Sequence, residues 1–205
     1  MSARLAVFAS GGGTNLQALL DHAATPGARY RVVLVVSDRP GAGALRRAVA
    51  AAVPSVVVPV AGRPAAEVEG DLLAALSAHD VDLVALAGYL RLVPEGVVRR
   101  YRGRMVNIHP APLPRFGGEG MYGERVHRAV LEAGVPESGP TVHLVDEAYD
   151  RGEVLAHEAV PVLAGDTPAS LAARVLEAEH ALYPRVLDGL AARATAGATH
   201  QPTNR

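Results

Sequence analysis

The chain contains no cysteine, no tryptophan and no lysine; all 20 of its basic residues are arginine. Without thiols there is no disulfide framework, no thiol nucleophile and no cysteine metal site. Without lysine there is no Schiff-base chemistry and no Walker-type phosphate loop. Aromatic residues make up only 4% of the chain, too few to furnish a base-stacking platform. The formal net charge is -1, and the one basic cluster, Arg99 to Arg104, reads as a solvated helix end and turn. A nucleic-acid partner is therefore not expected. No apolar run approaches the roughly 18 residues of a membrane span, and the N-terminus lacks the pattern of a secretion signal. A cytoplasmic protein acting on small molecules, as a monomer or homodimer, is the expectation. No short spacing gathers the eight histidines into a ligand set, so no metal is expected.

What is present is a 205-residue chain that is 49% hydrophobic, enough for one sizeable core. Short apolar runs at Leu5–Phe8, Arg31–Val36, 55–60, Val81–Ala87 and 104–108 alternate with segments of helical spacing. In Leu16, Leu19 and Leu20 the apolar residues recur on one helical side; Pro64, Pro94 and Pro168 stand where first helical turns begin. Further strands are expected at Thr141–Val145 and, as one piece, over 153–162. The long helix after Thr167 is expected to kink or break at Pro184. The pattern predicts an α/β fold: a single-domain, doubly wound, mostly parallel twisted sheet flanked by helices, over residues 1–193, with a disordered tail at 194–205.

Ligands of such sheets sit beyond the carboxyl ends of the strands, so strand-ending residues carry most weight. Gly11, Gly12 and Gly13 lie between the first strand and first helix, followed by Thr14 and Asn15. Their spacing does not fit a dinucleotide fingerprint, and a single phosphate is the better reading. A tight turn without a ligand is the alternative. Asn107 and His109 end the fifth strand two residues apart, so they point to one side, and Pro110 holds His109 extended. An amide can donate to a developing oxyanion and an imidazole can carry a proton near pH 7. Tying down the proline-rich loop is the alternative role. Asp150, in the turn after a later strand, is expected at the same sheet edge, where it would raise the pKa of His109. Asp146 and Glu147 are rival carboxylates. His143 lies mid-strand, a position more often filled by a core or rim histidine. Leu90 and Leu92 can wall a flat ligand, with Arg91 as a cation for an acidic tail.

Taken together, the stretches VFASGGGTNLQAL, AGYLRLV, NIHPAPLP, TVHLVDEAYDRGEVLAHEAVPV and EHALYP resemble the folate-dependent phosphoribosylglycinamide formyltransferases, over roughly Arg4 to Leu190. The resemblance implies direct transfer of a formyl group from the co-substrate 10-formyltetrahydrofolate to the amine of glycinamide ribonucleotide, without a metal. It implies that Asn107, His109 and Asp150 are catalytic and that His143 belongs to the active site. It implies that Gly12, Gly13, Thr14 and Asn15 hold the substrate phosphate, with Glu179 near the substrate. It implies that Leu90, Arg91, Leu92 and Val145 bind the folate.

The chain departs from the family pattern at GGEGMYG (117–123), at Ala111 in place of a serine, and at Leu176, where a polar phosphate contact is missing. A related formyltransferase acting on methionyl-tRNA would call for a further domain and a basic surface, and a formyltetrahydrofolate hydrolase for an added regulatory domain. A non-catalytic phosphate-binding module is the remaining alternative.

Overall fold

The computed structural model describes residues 2–147 and 149–198, with side chains through 194. The chain order is β1 (Ala3–Phe8), α1 (Thr14–Ala23), β2 (Tyr30–Ser37), α2 (Gly43–Ala50), β3 (Ser55–Val57), α3 (Ala65–Ala78), β4 (Leu83–Leu86), α4 (Glu95–Arg100) and β5 (Met105–His109). Then follow α5 (Glu124–Glu132), β6 (Glu137–Ser138), β7 (Thr141–Leu144), β8 (Val154–His157), β9 (Val160–Pro161) and α6 (Pro168–Ala198). Seven strands form one sheet in the order β3-β2-β1-β4-β5-β7-β8. The pairs among β1 to β5 are all parallel; β7 and β8 add antiparallel at one edge.

Alternation along β1 explains the layers. Leu5 and Val7 face one way and pack with Leu16 and Leu19 of α1, Ala44 and Ala48 of α2, and Leu182, Tyr183 and Leu187 of α6. Ala6 and Phe8 face the other way, against Val68, Leu72 and Leu76 of α3 and Val97 and Val98 of α4. Each fully buried valine, leucine or phenylalanine among them contributes about 1.5–3 kcal/mol relative to exposure. Tyr183 adds a polar anchor: its buried hydroxyl lies 3.0 Å from the Leu86 carbonyl and 3.1 Å from that of Val106, pinning α6 to β4 and β5. A third cluster, with Phe116, Val126, Val130, Val160, Leu171 and Val175, seats α5 beneath the long loop after β5.

Several expectations change. The strand read over 153–162 is two: β8 extends the main sheet, whereas β9 pairs with β6. The chain turns between them, where the Glu158 N–H bonds the Pro140 carbonyl and the Glu158 carbonyl packs so close to Gly139 that no Cβ fits there. Pro184 lies inside α6, which continues across it; the ring costs one intrahelical donor, and the Tyr183 anchor and core contacts hold both sides in place. The tail expected from 194 is helical to Ala198, and its remainder lies outside the described residues. Among the described residues no helix is long and apolar enough to cross a membrane.

Since β1 leads through α1 to β2 on one side and neighbours β4 on the other, the strand order reverses between β1 and β4. A crevice opens at the carboxyl ends of such strands, and the site lies there.

Candidate active site

The cleft has a volume of ≈ 460 Å³. Leu90, Arg91 and Leu92 after β4 form one wall, Val145, Tyr149 and Asp150 after β7 another, and Gly118 to Gly123 the rim. Asn107, His109 and His143 are its floor, and Asn15 and Glu179 lie at one end.

Register explains the floor. Asn107 pairs directly with His143 across β5 and β7, so the two side chains share a face, and His109 shares it by period two. Asn107 Nδ2 lies 3.0 Å from His143 Nε2. His143 Nδ1 lies 2.8 Å from the Leu144 carbonyl, so Nδ1 carries the hydrogen and Nε2 accepts from Asn107. His109 Nε2 lies 2.8 Å from the Phe116 carbonyl, which likewise fixes the hydrogen on Nε2 and leaves Nδ1 bare when the ring is neutral.

Asp150 reaches this face by an unexpected route. β7 runs against β5, so its end at Leu144 pairs with Val106 and points away from the strand end that carries His109. The 145–153 loop has to fold back over the sheet. It does so with Asp150 in a left-handed backbone, φ 53°. Asp150 Oδ2 accepts from the Gly118 N–H at 3.0 Å and lies 3.6 Å from His109 Nδ1. Its Oδ1 lies 3.5 Å from His143 Nε2 and 3.4 Å from Asn107 Nδ2. A Cβ on Gly117 would lie 2.8 Å from the Asp150 Cβ, so the loop after β5 needs glycine there to admit the aspartate.

Burial decides the charges. It pushes the Asp150 carboxyl up, but the favourable contact with the His143 ring, the hydrogen bond from the Gly118 N–H and the nearby His109 imidazole outweigh it and hold the carboxyl below its usual value. His109 is 4% exposed, and burial lowers its pKa despite the opposing pull of Asp150. The expected rise is thus reversed, because desolvation of the imidazolium outweighs a carboxylate 3.6 Å away. His109 is neutral at pH 7, with Nδ1 able to accept a proton.

At the other end, Asn15 Nδ2 donates to Glu179 Oε2 at 2.6 Å. Burial pushes the Glu179 carboxyl up to about 7, with the Asn15 bond pulling the other way. Asn15 Oδ1 is buried and has no partner among the described residues. Gly13 takes φ 75° at the start of α1, and a Cβ there would lie 2.8 Å from Ala44 Cα. Position 13 therefore needs glycine for the turn itself. Gly11 and Gly12 meet no such contact; both are exposed, as is Thr14.

The residues named from sequence thus gather in one cleft, apart from Gly12, Gly13 and Thr14, which stand in the turn beside it. Arg91 is not a free cation: its Nε lies 2.9 Å from Asp38 Oδ2. Asp38, in the turn just past β2, has a buried side chain. Tyr149 went unremarked; its hydroxyl meets the backbone of Leu92 across the cleft. His127 on α5 is buried, and burial, with His109 nearby, lowers its pKa. A mid-helix histidine on an otherwise apolar face was its one visible signal. Among the described residues no cluster of three or more His, Asp or Glu side chains is placed to hold a metal.

An amide donor, an imidazole with a bare nitrogen and a carboxylate beside an apolar cleft form a set of groups suited to proton-assisted group transfer at an acyl carbon. The chain belongs to the formyl transferase family, whose model matches residues 3–187. Among its relatives are proteins named phosphoribosylglycinamide formyltransferase. The chloroplastic one of Arabidopsis thaliana is 44% identical over 189 residues, covering 91% of this chain and 65% of that protein. The crystal structure of the Brucella melitensis phosphoribosylglycinamide formyltransferase is 44% identical with TM-score 0.86, covering 94% of this chain and 97% of that one. Glycinamide ribonucleotide transformylase 1 from Symbiobacterium toebii is 40% identical with TM-score 0.87, covering 94% and 89%. The chain spans just under two thirds of the Arabidopsis protein's length.

Proposed function

We propose that this protein transfers the formyl group of 10-formyltetrahydrofolate to the primary amine of glycinamide ribonucleotide, a cytoplasmic step of purine biosynthesis. The products are formylglycinamide ribonucleotide and tetrahydrofolate. The observation that carries this reading is the meeting of Asp150 with Asn107 at 3.4 Å and with His109 at 3.6 Å, both distant from it in sequence, at the floor of the cleft.

The amine nitrogen attacks the formyl carbon, a C–N bond forms, and the carbonyl electron pair moves onto oxygen. Asn107, through the Nδ2 hydrogen that His143 does not hold, donates a hydrogen bond to that oxygen. His109 accepts the amine proton at Nδ1, the nitrogen left bare by the Phe116 bond. Asp150, ionised beside it, stabilises the imidazolium as it forms. His109 then returns the proton to the departing folate nitrogen as the old C–N bond breaks, so atoms and charge balance with no net proton taken up. Leu90, Leu92 and Val145 line the apolar part of the cleft that suits a flat pteridine. Gly12, Gly13, Thr14 and Asn15 receive the phosphate at the start of α1, and Glu179 takes the ribose hydroxyls.

The test is glycinamide ribonucleotide-dependent loss of 10-formyltetrahydrofolate, with formylglycinamide ribonucleotide as product. Loss of the formyl group to water alone, with no dependence on the nucleotide, would make the protein a hydrolase instead. His109→Ala should lower kcat by at least ~100-fold while the KM for the nucleotide changes little.

A further inference from the structure

The wall of the cleft formed by Leu90 to Leu92 is not a helix or a strand, yet a buried network fixes its backbone. The Leu90 N–H donates to Ser10 Oγ at 2.9 Å. The Ser10 N–H donates to the Gly88 carbonyl at 3.0 Å, so Ser10 holds the chain on both sides of Tyr89. The Ser10 hydroxyl in turn hydrogen-bonds the Asp38 carboxylate. Asp38 Oδ2 receives Arg91 Nε at 2.9 Å, and Arg39 approaches the same carboxylate at 3.3 and 3.4 Å. The Asp38 side chain is 1% exposed, whereas that of Arg91 is 40% exposed. Three strand ends therefore meet at one carboxylate: β1 through Ser10, β2 through Asp38 itself, and β4 through Leu90 and Arg91. They meet on the two sides of the point where the strand order reverses.

Nothing in the formyl-transfer chemistry calls for a buried anion here. Asp38 is absent from the lining of the cleft, and it touches none of Asn107, His109 or Asp150. Burial by itself would push its carboxyl up, but the bonds from Ser10, Arg91 and Arg39 more than reverse this and hold it below the usual carboxylate range. The charge is thus kept and fully used by groups that belong to, or directly hold, the cleft wall.

We infer that Asp38 is a positioning residue for the formyl donor: through Ser10 and Arg91 it sets the backbone of Leu90 to Leu92, and so governs how tightly the cleft grips the pteridine ring rather than the acidic tail. In this arrangement Arg91 braces the wall and is not the anchor of the tail. The inference rests on the reading of the cleft as a folate site.

The variants are Asp38→Ala, Asp38→Asn, Arg91→Ala and the double Asp38→Ala/Arg91→Ala. Each is assayed with 10-formyltetrahydrofolate and with 10-formyltetrahydropteroate, which lacks the glutamate. Equilibrium binding of tetrahydrofolate and tetrahydropteroate to the unliganded protein is measured alongside. Loss of charged hydrogen bonds that orient the wall should raise the donor KM about tenfold for Asp38→Ala, equally for both donors. The KM for the nucleotide should stay within about twofold, because the nucleotide end of the cleft does not depend on this wall. Asp38→Asn keeps the shape and should fall between wild type and Asp38→Ala. The double variant should be no worse than Asp38→Ala, since both changes break one network. A defect confined to the glutamate-bearing donor would overturn the inference and make Arg91 the tail anchor. Additive losses in the double variant would overturn it too. If Asp38→Ala does not fold, Asp38→Asn and Arg91→Ala carry the test. If the wild-type protein shows no transfer to the nucleotide, the proposed function fails, and the two binding measurements still decide the role of Asp38.

Discussion

Glu179 lends itself to a quantitative test. It is 7% exposed on α6, and burial pushes its carboxyl from 4.5 up to about 7. A carboxyl that binds its proton more tightly when folded contributes its full stability below pH 4.5 and loses it as pH rises through about 7. Integrating that linkage between pH 5 and pH 8 gives a loss of about 2.5 kcal/mol from this one group. Glutamine has the same shape, keeps an oxygen for Asn15 Nδ2 and never ionises. The stability of Glu179→Gln minus that of the wild type should therefore grow by about 2.5 kcal/mol between pH 5 and pH 8, or about 5–10 °C in Tm for a chain of this size. Taking the difference removes the buried histidines His109 and His127. Their lowered pKa values act in the opposite sense, adding stability as pH rises through 6.5. The assay is thermal melting of both unliganded proteins at the two pH values, followed by circular dichroism. A gap of the same size at pH 5 and pH 8 would refute the reasoning, because it would mean that folding does not change the protonation of Glu179. The same variant should raise the KM for glycinamide ribonucleotide, since an amide replaces the carboxylate facing the ribose.

Three further outcomes follow from the geometry. Asp150→Asn should lower kcat by about 100-fold, and, because the Asp150 anion supports the charged form of His109, the acidic limb of the kcat–pH profile should move to lower pH; an unmoved limb would separate the two residues. Gly13→Ala should destabilise the fold by at least ~2 kcal/mol, from the left-handed backbone and the clash with Ala44, as read by urea denaturation. Tyr183→Phe should cost about 1 kcal/mol by removing the hydroxyl that ties α6 to two strand carbonyls, with little effect on the KM of either substrate.

Most of the sheet was legible from sequence because buried parallel strands and amphipathic helices carry different periods. β1 shows why: its residues serve two cores in alternation, so the whole run is apolar. What sequence could not convey was strand direction. The run after Glu153 looked like one strand because its apolar residues are continuous, but pairing with β7 ends at His157 and a different partner takes Val160. Asp150 was placed correctly by an incorrect route, since an antiparallel β7 carries its end away from His109. Asn107 and His109 were legible because a two-residue period fixes their common face. The protonation of His109 was not, because it depends on burial by Phe116 and the loop after β5, elements far from any local pattern. Asp38 escaped for the same reason: a turn residue by sequence, it is enclosed only when three strand ends come together.

The backward fold of the 145–153 segment has a consequence of its own. Asn107, His109 and His143 are locked by sheet pairing and cannot shift without unzipping a ladder. The carboxylate, by contrast, is delivered on a connection held by side-chain contacts and by the Gly118 amide rather than by a strand ladder. The carboxylate that supports the imidazolium is thereby carried apart from the frame that holds the proton acceptor itself. Changes in that connection can retune the pace of the reaction while the architecture beneath it stays as it is.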